Sequence, residues 1–198
     1  MRSVNENIRI KTQIPAGTIS LSAYTIGQEF GGGIIFYIDS TKQHGLIAAK
    51  EDITSSYTDA WTGIQFISQF RWSTGQFTLQ NDTDYAFRKV YTSTAFGQGA
   101  SNTDKILAKY PPWIYPNTAA AVARAYRGGG YSDWFLPSKD ELHQLDLQKS
   151  VVGGLDGDLY WSSSEDGSEH AWYESFPAGH PMSYYKWSYS RVRPVRAF

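Results

Sequence analysis

Four histidines, at positions 44, 143, 170 and 180, are the side chains of this chain best suited to hold a metal or move a proton near neutral pH. None stands in a His-x-x-x-His pair, which would set two imidazoles on one helical face, so they read as solvated or hydrogen-bonded side chains. Asp156 and Asp158 in "LDGDLY" offer oxygens to a calcium ion, but no further ligand pattern follows, and a β-turn is the better reading. Asp140 and Glu141 fall in the first turn of an expected helix, where the helix dipole stabilises carboxylates, and this outweighs a paired acid and base. "FGQGASN" (96–102) has a Gly-x-Gly without a third glycine or a preceding apolar strand, so it links helices rather than cradling a dinucleotide. No serine or threonine stands beside a partner base. The chain has no cysteine, which excludes disulfides, thiolate metal sites and a catalytic thiol. Asn81-Asp82-Thr83 matches a glycosylation acceptor, a pattern short enough to arise by chance. Catalysis, a resident metal and a cofactor are therefore not expected.

The stretch that does suit recognition is the C-terminal one. From Trp172 to Tyr189 nearly every residue is aromatic or small and polar, with no clean period of 2 or 3.6. Tyr and Trp supply large, rigid contact area with a hydrogen-bonding tip, while Ser, Gly and His adapt to what they face. A few such aromatics on one face can carry most of a binding energy, although alternation along a strand would place only some of them there. Directly after comes the cationic run Arg191-Val192-Arg193-Pro194-Val195-Arg196.

The elements that must position these residues fit one domain. The chain has 198 residues, 41% hydrophobic and 16% aromatic, with 18 glycines, which is the composition of a folded, loop-rich protein. Eighteen basic and nineteen acidic side chains leave a net charge of -1, so no general field draws in nucleic acid or an anionic membrane. No apolar run approaches the roughly 20 residues of a membrane span, and "MRSVNENIRIKTQ" lacks the apolar core of a signal peptide. Residues 1–23 read as an extended arm. "GGGIIFYID" and "LIAAK" read as a hairpin of core strands. Helices are expected over "TDYAFRKVYTSTAF", from the spacing of Tyr85, Phe87, Val90 and Tyr91, and over "SNTDKILAKY", capped by Asn102 or Thr103. Another is expected over "NTAAAVARAY", stopped by the three glycines at 128–130. "LPSKDELHQLDLQ" carries a capping box, Ser138 with Glu141, and turns Leu142 and Leu145 to the core. Strands return after Gly154. Strands, helices, strands in that order make the fold class α+β rather than alternating α/β.

Four blocks, "YTIGQEFGGGIIFYID…QHGLIAAKED", "GGYSDWFLPSKDEL", "YWSSSE" followed by "AWY", and the closing "RVRPVRAF", resemble the domain at the C-terminus of the Legionella collagen-like adhesin. The blocks span about 24–198, and their joint occurrence in this order is far more specific than any one alone. The resemblance implies a C-type-lectin-like fold of the formylglycine-generating-enzyme subtype. It divides the chain into the arm at 1–23 and a ligand-binding domain at 24–198, with a variable region at about 160–198. Within it "YWSSSE", Trp172, Phe176 and Gly179 would form a fixed frame, and Val192, Val195 and Phe198 would pack inward. Arg191, Arg193 and Arg196 lie in a shared block, which favours ion pairs over a cationic site for sulfated glycans.

Relatives of that domain are glycan-binding adhesins, and others are variable proteins of diversity-generating retroelements, in which an error-prone copy altered at adenines replaces the 3′ end of the gene. Their templates are rich in asparagine codons. This chain has asparagine at 5, 7, 81, 102 and 117 and none afterwards. In its place stand Asp166, Ser168, His170, Tyr173, Ser175, Ala178, His180, Ser183, Tyr184, Tyr185, Ser188 and Tyr189, each reachable from an asparagine codon by changing adenines alone. Trp187 and Met182 are reachable from a lysine codon. These residues, with Trp187 and without Met182, are the candidate ligand-binding set. The expected function is recognition of a protein or glycan on a cell or phage-host surface, through a surface varied by such a retroelement. The alternative is a fixed-specificity glycan-binding adhesin or lectin of the same fold. The formylglycine-generating enzyme depends on active-site cysteines, which this chain lacks, so an enzyme is disfavoured. By analogy the arm would assemble a trimer, and the protein would be extracellular, at a cell surface or on a virion.

Overall fold

The computed structural model describes residues 24–54, 56–58, 65–73, 89–155 and 159–198. The arm at 1–23, Asn81, Asp156 and Asp158 lie outside the described residues. The apolar runs expected to pair do so: Gly33–Ile38 (β2) and Gly45–Ala49 (β3) form an antiparallel hairpin with a register shift between Ile35 and Tyr37. Glu29–Phe30 (β1) pairs with β2 on one edge, giving a sheet ordered β1, β2, β3 and then the C-terminal strand. Every residue of β3 is buried, which is why it is apolar throughout instead of alternating. At Gly33 a side chain would run into the carbonyl of Ala48, so the two strands approach only because this position is glycine. Short pairs follow, Ser56–Thr58 (β4) with Gln65–Ile67 (β5), and then Phe70–Arg71 (β6).

Of the helix expected over 83–96, residues 89–96 are described, and they are not helical. Their backbone groups are instead bonded by distant side chains. The Val90 and Tyr91 amides donate to the Glu165 carboxylate at 2.9 Å each, and the Ser164 hydroxyl donates to the Ser93 carbonyl at 2.7 Å. Partners supplied by another element replace the helical ladder. The first helix, Gly99–Lys109 (α1), starts earlier than expected, after Gln98 and not after Asn102 or Thr103, with no side-chain cap. Asn102 and Thr103 are buried inside it, and their side chains reach Ser93, Ser163 and Leu136. Ala119–Ala125 (α2) ends before a short 3-10 turn at Gly128–Gly130, where Gly129 takes a φ of 63°. Lys139–Leu147 (α3) carries the expected capping box, and Leu142 and Leu145 are buried; Lys149–Val152 (α4) continues it.

Leu159–Asp166 (β7), His170–Ser175 (β8) and His180–Tyr185 (β9) then form a three-stranded antiparallel sheet with β8 in the middle. Tyr189–Ser190 (β10) pairs with β6, and Val195–Ala197 (β11) returns to pair with β3. The architecture is α+β. One apolar cluster gathers Trp72, Ile106, Leu136, Trp161 and Val192 between α1, α2 and β7. A second gathers Phe36, Leu145, Tyr160, Phe176 and Val195 between the first sheet and α3. Phe198 closes a third side, its ring 4.7 Å from that of Tyr24 and 5.3 Å from that of Phe30.

Candidate functional site on the C-terminal hairpin

The register of β8 against β9 sorts the candidate residues by face, because directly opposed residues of an antiparallel pair point to the same side. One face carries the pairs His170–Tyr185, Trp172–Ser183 and Glu174–Pro181. Helix α3 lies over its far end, with the Lys139 ammonium 4.6 Å from the Trp172 ring and His143 Nδ1 3.0 Å from a Glu174 oxygen. The other face carries Ala171–Tyr184, Tyr173–Met182 and Ser175–His180. Here Ala171 and Tyr173 pack into the cluster with Trp161. Strand β9, at the sheet edge, overhangs that cluster, so His180, Met182 (42% exposed) and Tyr184 (52% exposed) stand in solvent beside it.

Two of the candidate residues are buried. Tyr173 is 8% exposed and Ser175 9%, because the central strand β8 has no overhang. Tyr173 stacks edge-on against Trp161 at 6.0 Å, and burial pushes its phenol above the usual value. Asp166, Ala178, His180 and Tyr184 are exposed. Ser168, His170, Ser183, Tyr185, Trp187, Ser188 and Tyr189 are half-buried. The aromatics among them are organised as a stack: His170 lies 4.4 Å from Tyr185, and Tyr185 lies 4.3 Å from Trp187 with the rings 20° apart. Tyr184 meets Tyr185 edge-on at 5.4 Å. Tyr189 is elsewhere, in β10, with the Arg71 guanidinium over its ring at 4.7 Å. Aromatic faces stacked this way are suited to sugars and to apolar side chains alike.

Sequence reasoning passed over the residue that holds this surface in place. Lys186 sits between Tyr185 and Trp187, yet its side chain is wholly buried. Its ammonium donates to the Glu165 carboxylate, to the Ser168 carbonyl at 2.9 Å and to the Gly167 carbonyl at 3.2 Å, and it lies 4.8 Å from the Trp72 ring. Burial lowers its pKa, opposed by the hydrogen bond and charge of Glu165. All three ammonium protons are used, and they tie the β7–β8 turn to the end of β9.

The cationic run is structural, as its place in a shared block implied. Arg193 is buried and donates to Asp52 at 2.7 Å, to the Ala49 carbonyl at 2.9 Å and to the Gly154 carbonyl. Arg196 makes a two-pronged bond to Asp133 at 2.8 and 2.9 Å, which holds that carboxyl below its usual range. Arg191 reaches Asp52 at 3.3 Å. The expected inward packing of Val192 and Val195 is also found.

His143, Asp146 and Glu174 come together where α3 meets the end of β8. The sequence signal was a histidine and an acid three apart on one helix, His143-x-x-Asp146; Glu174 lies too far along the chain for spacing to reveal it. Burial, the largest influence, pushes the Glu174 carboxyl up, and the hydrogen bond from His143 opposes it.

A family model described as the Lcl C-terminal domain matches residues 68–196, well over half of the chain. A search of curated proteins finds no match.

Proposed function

The chain belongs to the Lcl C-terminal domain family, and from that membership we propose that it is an adhesin-like ligand-binding domain acting outside the cell. Its fold in this reading is C-type-lectin-like, and it binds rather than catalyses. Among the described residues no helix is long and apolar enough to cross a membrane. The observation that carries the reading is the edge strand β9. It presents Met182 and Tyr184 to solvent on one face of the hairpin and carries the stack of His170, Tyr185 and Trp187 along the other, on a frame fixed by Lys186 and Glu165. Large aromatics exposed on a rigid support bind at little entropic cost. The ligand is a protein or glycan on a cell or phage-host surface.

We further propose that this surface is varied by a retroelement. Asp166, Ala178, His180 and Tyr184, reachable from asparagine codons, are all exposed, so substitution there leaves the core untouched. The test is to sequence the gene's 3′ end and its surroundings. A near-identical repeat of the segment coding for 160–198, beside a reverse-transcriptase gene and differing at its adenines, is the expected result. Absence of such a repeat would refute diversification and leave the fixed glycan-binding adhesin, which the aromatic stack supports as a sugar platform. A glycan array comparing wild type with Tyr184→Ala and Trp187→Ala then tests binding; retention of every bound glycan by both variants rules out this surface.

A further inference from the structure

His143 and Asp146 lie about one helical turn apart on α3, and Glu174 faces them from β8; one ligand atom from each lies within 4.8 Å of the other two. Glu174 is 1% exposed. Its Oε1 bonds to His143, but its Oε2 is buried without a hydrogen-bond partner among the described residues. A buried carboxylate oxygen left without a donor is costly, and such an atom asks for a ligand. Asp146 is buried as well, and its Oδ1 takes the Lys149 ammonium at 2.9 Å. The charge balance is therefore incomplete: two carboxylates meet one ammonium and an imidazole that is neutral when it ligates. The same Lys149 donates to the Phe176 carbonyl, so the cluster sits against the β8–β9 turn. His180, on the far side of that turn, is oriented by its Nδ1 contact with the Ala178 carbonyl at 3.2 Å.

We propose that His143, Asp146 and Glu174 form a binding site for a divalent cation of the zinc type. An imidazole nitrogen with two carboxylate oxygens suits zinc, whereas calcium and magnesium take oxygen ligands. Bonds of about 2.0–2.2 Å place tetrahedral ligand atoms about 3.3–3.6 Å apart, so the three side chains need only small rotations to close on an ion. Three protein ligands leave a fourth position for water or for an oxygen of an incoming group. The ion would fasten the β8–β9 turn, which carries Ala178 and leads into His180, to α3. This site stands whether or not the neighbouring surface binds a glycan.

The test uses the full chain, stripped with EDTA, dialysed and titrated with zinc chloride by calorimetry, with thermal melts alongside. Wild type is expected to take up one zinc per chain and to melt at a higher temperature with zinc present. Asp146→Asn and Glu174→Gln should each weaken zinc binding at least about tenfold, the scale on which even outer-sphere changes act. His44→Ala, in the exposed turn between β2 and β3, should bind zinc as wild type does. His143→Ala alters a partly exposed side chain and decides the matter if a carboxylate variant fails to fold. Zinc binding unaffected in His143→Ala, or no binding to wild type, would overturn the site. Equal binding of calcium would overturn its assignment to zinc.

Discussion

Replacing Lys186 by methionine keeps most of the apolar stem of the side chain and removes the charge that three acceptors share. The Glu165 carboxylate keeps the Val90 and Tyr91 amides but loses its cation, and the Gly167 and Ser168 carbonyls lose their donor. Breaking a buried pair from one side costs about 3–5 kcal/mol, and in a domain of this size that lowers the melting temperature by roughly 6–20 °C. Urea unfolding should show the loss as a lower midpoint at unchanged slope. Lys186→Met combined with Glu165→Gln should recover part of it, because no uncompensated charge then remains; a coupling of about 1–3 kcal/mol is expected between the two sites. If Lys186→Met costs less than about 1 kcal/mol, within the range of surface ion pairs, the pair does not hold the hairpin and the argument from its burial fails.

Glu141 accepts from the Ser138 amide on one oxygen at 2.7 Å and from the Gly97 amide on the other at 2.9 Å. Glu141→Gln turns an NH2 toward one of those amides and should cost about 1–3 kcal/mol in urea unfolding. Burial, outweighing these hydrogen bonds, raises the Glu141 pKa above 4.5. The folded state then holds the proton more tightly, so this group's contribution to stability falls as pH rises from 4.5 through the folded value; a midpoint-against-pH curve should lose that slope in Glu141→Gln. Arg193→Lys keeps the charge but not the fork that reaches Asp52, Ala49 and Gly154 together, so melting temperatures should fall in the order wild type, Arg193→Lys, Arg193→Met.

What was legible in the sequence was what neighbours along the chain decide. The Ser138–Glu141 capping box spans three residues, and the β2–β3 hairpin joins two apolar runs, so both were visible as patterns. The segment at 89–96 has helical spacing, but its amides are taken by Glu165, more than seventy residues on. Asn102 has the chemistry of a cap and is drawn instead to the Ser93 backbone and the Ser163 hydroxyl. Composition named the aromatic hairpin as a surface, yet Tyr173 and Tyr184 share a face and differ in the strand that carries them: one lies on the covered central strand and the other on the overhanging edge. Lys186 was hidden because a lysine among tyrosines reads as exposed until its acceptors are known.

Lys186 also sharpens the choice between a varied surface and a fixed one. Its codon, AAA or AAG, is built mostly of adenine, so a process that mutates adenines would strike it at least as often as its neighbours. Structurally it is the residue of the hairpin least able to change, since its side chain is buried and its ammonium protons are all engaged. His180, Met182 and Tyr184 point into solvent on the overhanging face and tolerate exchange. A diversified protein must therefore discard the copies in which position 186 has drifted, while keeping those altered at 180, 182 and 184. Deep sequencing of natural copies of the gene should then show lysine held at 186 between positions that vary freely. A fixed adhesin would hold Tyr184 and Met182 as firmly as Lys186, because there the aromatic edge is itself the specificity.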